Sequence, residues 1–63
     1  MNLTTHKFAV SVLMSDGRGT VGHHLYVFDA VSADEAMGMA ARLAFAAEPR
    51  LPICGMQCQQ VND

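Results

Sequence analysis

A chain of 63 residues that is 51% hydrophobic and 16% charged is too apolar to stay disordered and too short to hold more than one domain, taken here as 1–63. Its formal net charge is −2, and Lys7, Arg18, Arg42 and Arg50 are scattered, so the basic footprint of a nucleic-acid binder is missing. A core this small yields only about 3–5 kcal/mol, so bridges, a metal or a partner surface are expected to add to it.

An anionic membrane surface is disfavoured for the same reason as nucleic acid. No run free of Asp, Glu, Lys and Arg comes near the roughly 20 residues a membrane helix needs. The opening MNLTTHKF lacks the basic-then-apolar plan of a signal peptide. With only two cysteines and no such signal, a cytoplasmic, reducing location is expected. A charged fraction this low leaves a surface that favours association.

His6 to Met14, HKFAVSVLM, reads as a strand, rich in Val and Phe and closed by the turn cluster SDGRG. Thr20 to Phe28, TVGHHLYVF, reads as its hairpin partner, with Asp16-Gly17 as the turn signal. A turn of two or four residues puts Phe8, Val10, Val12, Met14, Val21, His23, Leu25 and Val27 on one face. Lys7, Ala9, Ser11, Leu13, Thr20, Gly22, His24, Tyr26 and Phe28 then fall on the other. A three-residue loop would turn the second strand over. The first face carries more large apolar groups and is expected to be the core. His23 would then point inward near Val10, and His24 outward beside Tyr26.

Ser32-Ala33-Asp34-Glu35 is a capping box, with Ser32 as the cap and Glu35 reaching back. Both acids suit the positive end of the helix dipole. The helix is expected from Ala33 to about Ala47, stopped by Pro49, because the residue before a proline avoids the α region. Ala33, Ala36, Met37, Ala40, Leu43, Ala44 and Ala47 share a face at 100° per residue, and so many alanines imply a close approach to the sheet. Phe45 falls on the polar side, with Met39 at the flank.

Ile53 to Val61 reads as the third strand. The fold class is therefore α+β: a ββαβ domain with a three-stranded antiparallel sheet, order 2-1-3, and one helix on one face. On such a strand Cys54 and Cys58 lie about 13 Å apart. A disulfide needs Cβ atoms about 3.5–4.5 Å apart, so the pair neither bridges nor shares one zinc ion. The spacing C-x-x-x-C also differs from the C-x-x-C of redox and zinc motifs. Cys54, Met56 and Cys58 are expected to pack under the helix as adaptable core groups.

Nothing points to catalysis. The glycines of DGRGTVG join two strands and open no helix, so they are not a phosphate loop. The chain shows no nucleophile elbow and no paired carboxylates with a pocket around them, so no enzyme activity, cofactor or metal is expected. The sheet face away from the helix remains. With Leu13, His24, Tyr26 and Phe28, plus Phe45 on the helix, it forms the candidate partner-binding surface, and Ile53 and Val61 extend it. The expected function is a non-enzymatic protein-interaction module. It would form a homodimer through that face or an edge strand, and bind or occlude a larger protein. In size and character, though through no residue motif, the chain resembles phage and mobile-element proteins such as anti-CRISPR inhibitors, which occlude surfaces of large complexes. The alternative is an accessory or regulatory subunit of an enzyme, holding a small ligand or metal near His23, His24 and the cysteines.

Overall fold

The computed structural model describes residues 4–61, so the outermost residues of the 1–63 domain lie outside the described ones. Four elements follow in order: β1 (His6–Ser15), β2 (Val21–Ala30), α1 (Ala33–Ala47) and β3 (Ile53–Val61). The strands form one antiparallel sheet in the order β2-β1-β3, as the sequence reading expects. No helix among the described residues is long and apolar enough to cross a membrane.

β1 lies at the centre because it is apolar on alternate residues along its whole length. Phe8, Val10, Val12 and Met14 are buried under the helix, and the last three are fully inaccessible. α1 reaches them with Ala36, Ala40 and Ala44, one narrow stripe at i, i+4 spacing and entirely buried. A stripe of methyl groups lets the helix axis come close to the sheet. That closeness leaves Leu43 and Ala47 outside the contact, although the 100° periodicity places both on the packed face. Leu43 is 47% exposed.

The helix begins and ends as its sequence dictates. Ser32 is extended, and its Oγ accepts from the N–H of Glu35 at 3.2 Å. The Glu35 carboxylate reaches back to the N–H of Val31 at 3.4 Å, one residue before the cap rather than to the cap itself. At the other end Glu48, which precedes Pro49, leaves the helical region but still donates its N–H to Ala44 O at 2.9 Å. The Leu51 N–H then donates to Glu48 O, and the Ser15 N–H to Pro52 O, which leads the chain into β3.

The hairpin differs from its expected form. Ser15 pairs with Val21, so the loop between them is Asp16 to Thr20, an odd number of residues. Asp16 drives this. Its Oδ1 accepts from the N–H of Arg18 at 2.7 Å and of Thr20 at 3.2 Å, and its own N–H donates to Thr20 O at 3.3 Å. Gly17 (φ 74°) and Gly19 (φ 107°) supply the only left-handed backbone among the described residues. Asp16 is therefore not the first half of a type I′ turn, which needs φ > 0 at both central residues.

An odd loop turns β2 over. Val12 faces His24, Val10 faces Tyr26 and Phe8 faces Phe28, and residues directly opposite share a face. Gly22, His24, Tyr26, Phe28 and Ala30 thus lie on the helix side, while Val21, His23, Leu25 and Val27 lie on the open side. This overturns the expected core face of the second strand. The packing reason lies in α1: its alanines leave space at the flank of the helix, and Tyr26 and Phe28 fill it against the core.

β3 carries one irregularity. Leu13 pairs with Gly55 but Met14 with Ile53, so Cys54 is an extra, bulged residue. Met56 and Cys58 face Val12 and Val10 and pack on the core as expected. Cys54 does not; it is exposed, and both thiols are free.

Candidate interaction surface

The sheet face away from α1 is assembled from three strands. β2 contributes Val21, His23, Leu25, Val27 and Asp29, and β1 contributes Lys7, Ala9, Ser11, Leu13 and Ser15. β3 adds Gly55, Gln57, Gln59 and Val61. The apolar groups gather on the β2 side. Leu25 is 67% exposed, Val21 61% and Val27 56%, with Leu13 at 41% on the strand beside them. The β3 side is polar through its two glutamines. Between the halves, Ala9, Ser11 and Gly55 keep the surface flat. His23 crosses to β1, with Nε2 2.6 Å from Ser11 Oγ. Lys7 and Asp29 stand opposite each other at one end of the face.

The five residues expected to bind a partner therefore separate. Leu13 lies on the open face, as expected. Phe45 is 61% exposed on the outer side of α1, away from the sheet. His24, Tyr26 and Phe28 are not on the open face at all. They form a half-buried row on the helix side of β2, with ring centroids 6.0 Å and 5.9 Å apart along the strand. The residues that take their place are Val21, Leu25 and Val27. The signal for them was Asp16 followed by amides it could cap, which favours a longer, odd loop over a tight turn.

On the helix side, His24 meets the end of α1. Its Nε2 lies 2.6 Å from Glu48 Oε2, with both side chains about a third exposed at 28% and 33%. The contact is an ion pair when the imidazole is protonated and a hydrogen bond when it is neutral. Gly22 makes room for it: a Cβ there would overlap Glu48 Oε2 and come within 2.8 Å of its Cδ. Beside this contact lies an open concavity of about 430 Å³ lined by Asp16, Thr20, Glu48, Pro49, Arg50 and Leu51. The amides of Arg18 and Thr20 hold the Asp16 carboxyl below its ordinary value. Its Oδ1 is spent on the turn.

His23 and His24 lie on opposite faces. Cys58 shares a face with His24, but β2 and β3 flank β1, about 10 Å apart. Among the described residues no group of three His, Cys, Asp or Glu side chains is placed to hold an ion. Comparison with protein families, curated proteins and solved structures yields no match for this chain.

Proposed function

We propose that this chain is a protein-interaction module that self-associates and acts through its open sheet face, without chemistry of its own. The carrying observation is the row of Val21, Leu25 and Val27, each more than half exposed on one strand, with Leu13 alongside. Isolated surface apolars are ordinary, but a contiguous row on a flat, charge-poor face is what a partner surface requires.

Size supports the same reading: a domain this small draws only about 3–5 kcal/mol from its own core, so a buried partner surface adds stability it lacks. A larger protein occluded by the same face is the action such a module would perform. The test of self-association is sedimentation equilibrium from micromolar to hundreds of micromolar. The wild type is expected to associate, and Leu25→Asp to shift the equilibrium towards monomer with the helix signal unchanged. A wild type that stays monomeric throughout overturns the self-associating reading.

A further inference from the structure

We infer that two copies join edge to edge through β2, antiparallel about a two-fold axis through Tyr26, so that two three-stranded sheets become one sheet of six. The inference rests on the self-association proposed above and specifies its partner, strand and register.

The sheet has two free edges, β2 and β3. An edge strand presents a row of unpaired N–H and C=O groups, which proteins usually block with proline, lysine or a bulge. β3 is the shorter and more polar edge: the Cys54 bulge confines its regular stretch to residues 55–61, which carry Gln57, Gln59 and Gln60. β2 has none of these devices. It runs for ten residues, VGHHLYVFDA, with a continuous register to β1. Its one charged residue, Asp29, sits near the end. It is the longer free edge, and both its faces are apolar or aromatic over the central stretch.

Two-fold symmetry then limits the register. An axis perpendicular to the sheet keeps each residue on its own face, so residues opposite across the join must be an even number of positions apart. The axis must therefore pass through a residue. If it passes through Tyr26, Leu25 of one copy lies opposite Val27 of the other, and His24 opposite Phe28. His23 lies opposite Asp29, Gly22 opposite Ala30, and Val21 opposite Val31. Aliphatic residues meet aliphatic ones, ring meets ring, small residues meet small ones and His23 meets the one carboxylate, and each pair except the central one occurs twice. His23 uses Nε2 on Ser11, which leaves Nδ1 for the carboxylate of Asp29 in the second copy.

The neighbouring registers lose this match. An axis through Leu25 sets Val21 against Asp29, a charge on an apolar group. An axis through His24 sets imidazole against imidazole and leaves Asp29 outside the paired stretch. An axis through Val27 sets Leu25 against Asp29 and pairs only the end of the strand. Asp29 already faces Lys7 within its own sheet; across the join only the Tyr26 axis adds a second complementary partner, and cross-strand pairs of opposite charge or of two apolar groups each favour the pairing.

The joined sheet keeps both helices on one side. On the other side it merges the Leu25 and Val27 pairs of both copies into one central apolar patch. The aromatic rows His24, Tyr26 and Phe28 also meet at the axis.

The register can be read by disulfide formation. In a Cys54→Ser, Cys58→Ala background, cysteine is placed singly at His24, Leu25, Tyr26 and Val27, and the protein is oxidised in air. Residues directly opposite have Cα atoms about 4.5–5.5 Å apart, within disulfide range, whereas diagonal neighbours lie about 7–8 Å apart. Tyr26→Cys is expected to give covalent dimer and the other three little. Because Tyr26→Cys removes a packed ring, the unsubstituted protein is tested as well. Mixed isotope-labelled and unlabelled copies should show nuclear Overhauser contacts between Leu25 methyls of one and Val27 methyls of the other. A dimer that lacks those contacts, or that bridges most at another position, overturns the β2 register and leaves self-association standing. A protein monomeric at every concentration overturns both.

Discussion

Leu25 and Tyr26 are neighbours on β2, and replacing each with alanine separates the two possible faces of that strand. Leu25 is 67% exposed, so about a third of its side chain is removed from water. Full burial of a leucine stabilises by about 1.5–3 kcal/mol, which puts the loss in Leu25→Ala at about 0.5–1 kcal/mol. Tyr26 is mostly buried, and its ring stacks between His24 and Phe28 at 6.0 Å and 5.9 Å. Losing most of the burial of an aromatic ring and its ring contacts costs about 2 kcal/mol or more. Against a total of about 3–5 kcal/mol for a domain this small, that is a large part of the stability. With a urea dependence of about 1 kcal/mol per molar, the midpoint should fall by about 2 M or more for Tyr26→Ala and by less than about 1 M for Leu25→Ala. The assay is urea unfolding followed by circular dichroism, at concentrations low enough that the midpoint no longer depends on concentration. If Leu25 faced the helix, its truncation would instead cost about 2–5 kcal/mol. A Leu25→Ala midpoint lower than that of Tyr26→Ala would show that β2 is turned the other way.

Other outcomes follow from single contacts. Ser32→Ala removes the acceptor for the Glu35 N–H and should cost about 0.5–2 kcal/mol; an unchanged unfolding midpoint would place the helix start elsewhere. In Gly22→Ala, the Glu48 carboxylate must swing off His24, losing about 0.2–1 kcal/mol, while the stiffer unfolded chain returns about 0.4–1 kcal/mol. The net change should therefore be small, and Glu48→Gln should have no further effect in that background; a double-mutant cycle with full additivity would contradict the geometry. The Asp16 carboxyl, held below its ordinary 3.8 by the amides it caps, adds stability that is present above that value and is lost as pH falls through the native one. Asp16→Asn keeps an acceptor oxygen but not the charge, so the acid limb of the stability profile should flatten, and an unaltered limb would remove Asp16 from the account. Alkylation timed by mass spectrometry should label exposed Cys54 before half-buried Cys58; the reverse order would mean that Cys54 is not the bulged residue.

The local elements were legible because their signals act over a few residues. The S-x-x-E box, the alanine-rich period and Pro49 bound α1 through backbone capping and sterics alone. The valine-rich alternation of β1 marked the central strand, since only the middle of a three-stranded sheet needs that much apolar surface. The C-x-x-x-C spacing on an extended chain ruled out a bridge between Cys54 and Cys58, and both thiols are free.

Tertiary structure decided the faces, and with them the candidate site. β2 has large groups at both parities: Val21, Leu25 and Val27 at one, Tyr26 and Phe28 at the other. A strand so balanced has no preferred side until something covers it. The loop settles half the question, since Asp16 capping two amides makes it odd, and a shift of one residue exchanges every side chain between faces. The helix settles the rest. Its Ala36–Ala40–Ala44 stripe sits so close over β1 that only its flank has room for rings, and Tyr26 and Phe28 occupy that flank. The sequence by itself determined which elements form and in what order, because those depend on neighbours a few residues apart. Only packing in three dimensions determined which apolar row of β2 was buried and which was left for a partner. That choice depends on the depth of a helix and the parity of a loop at once.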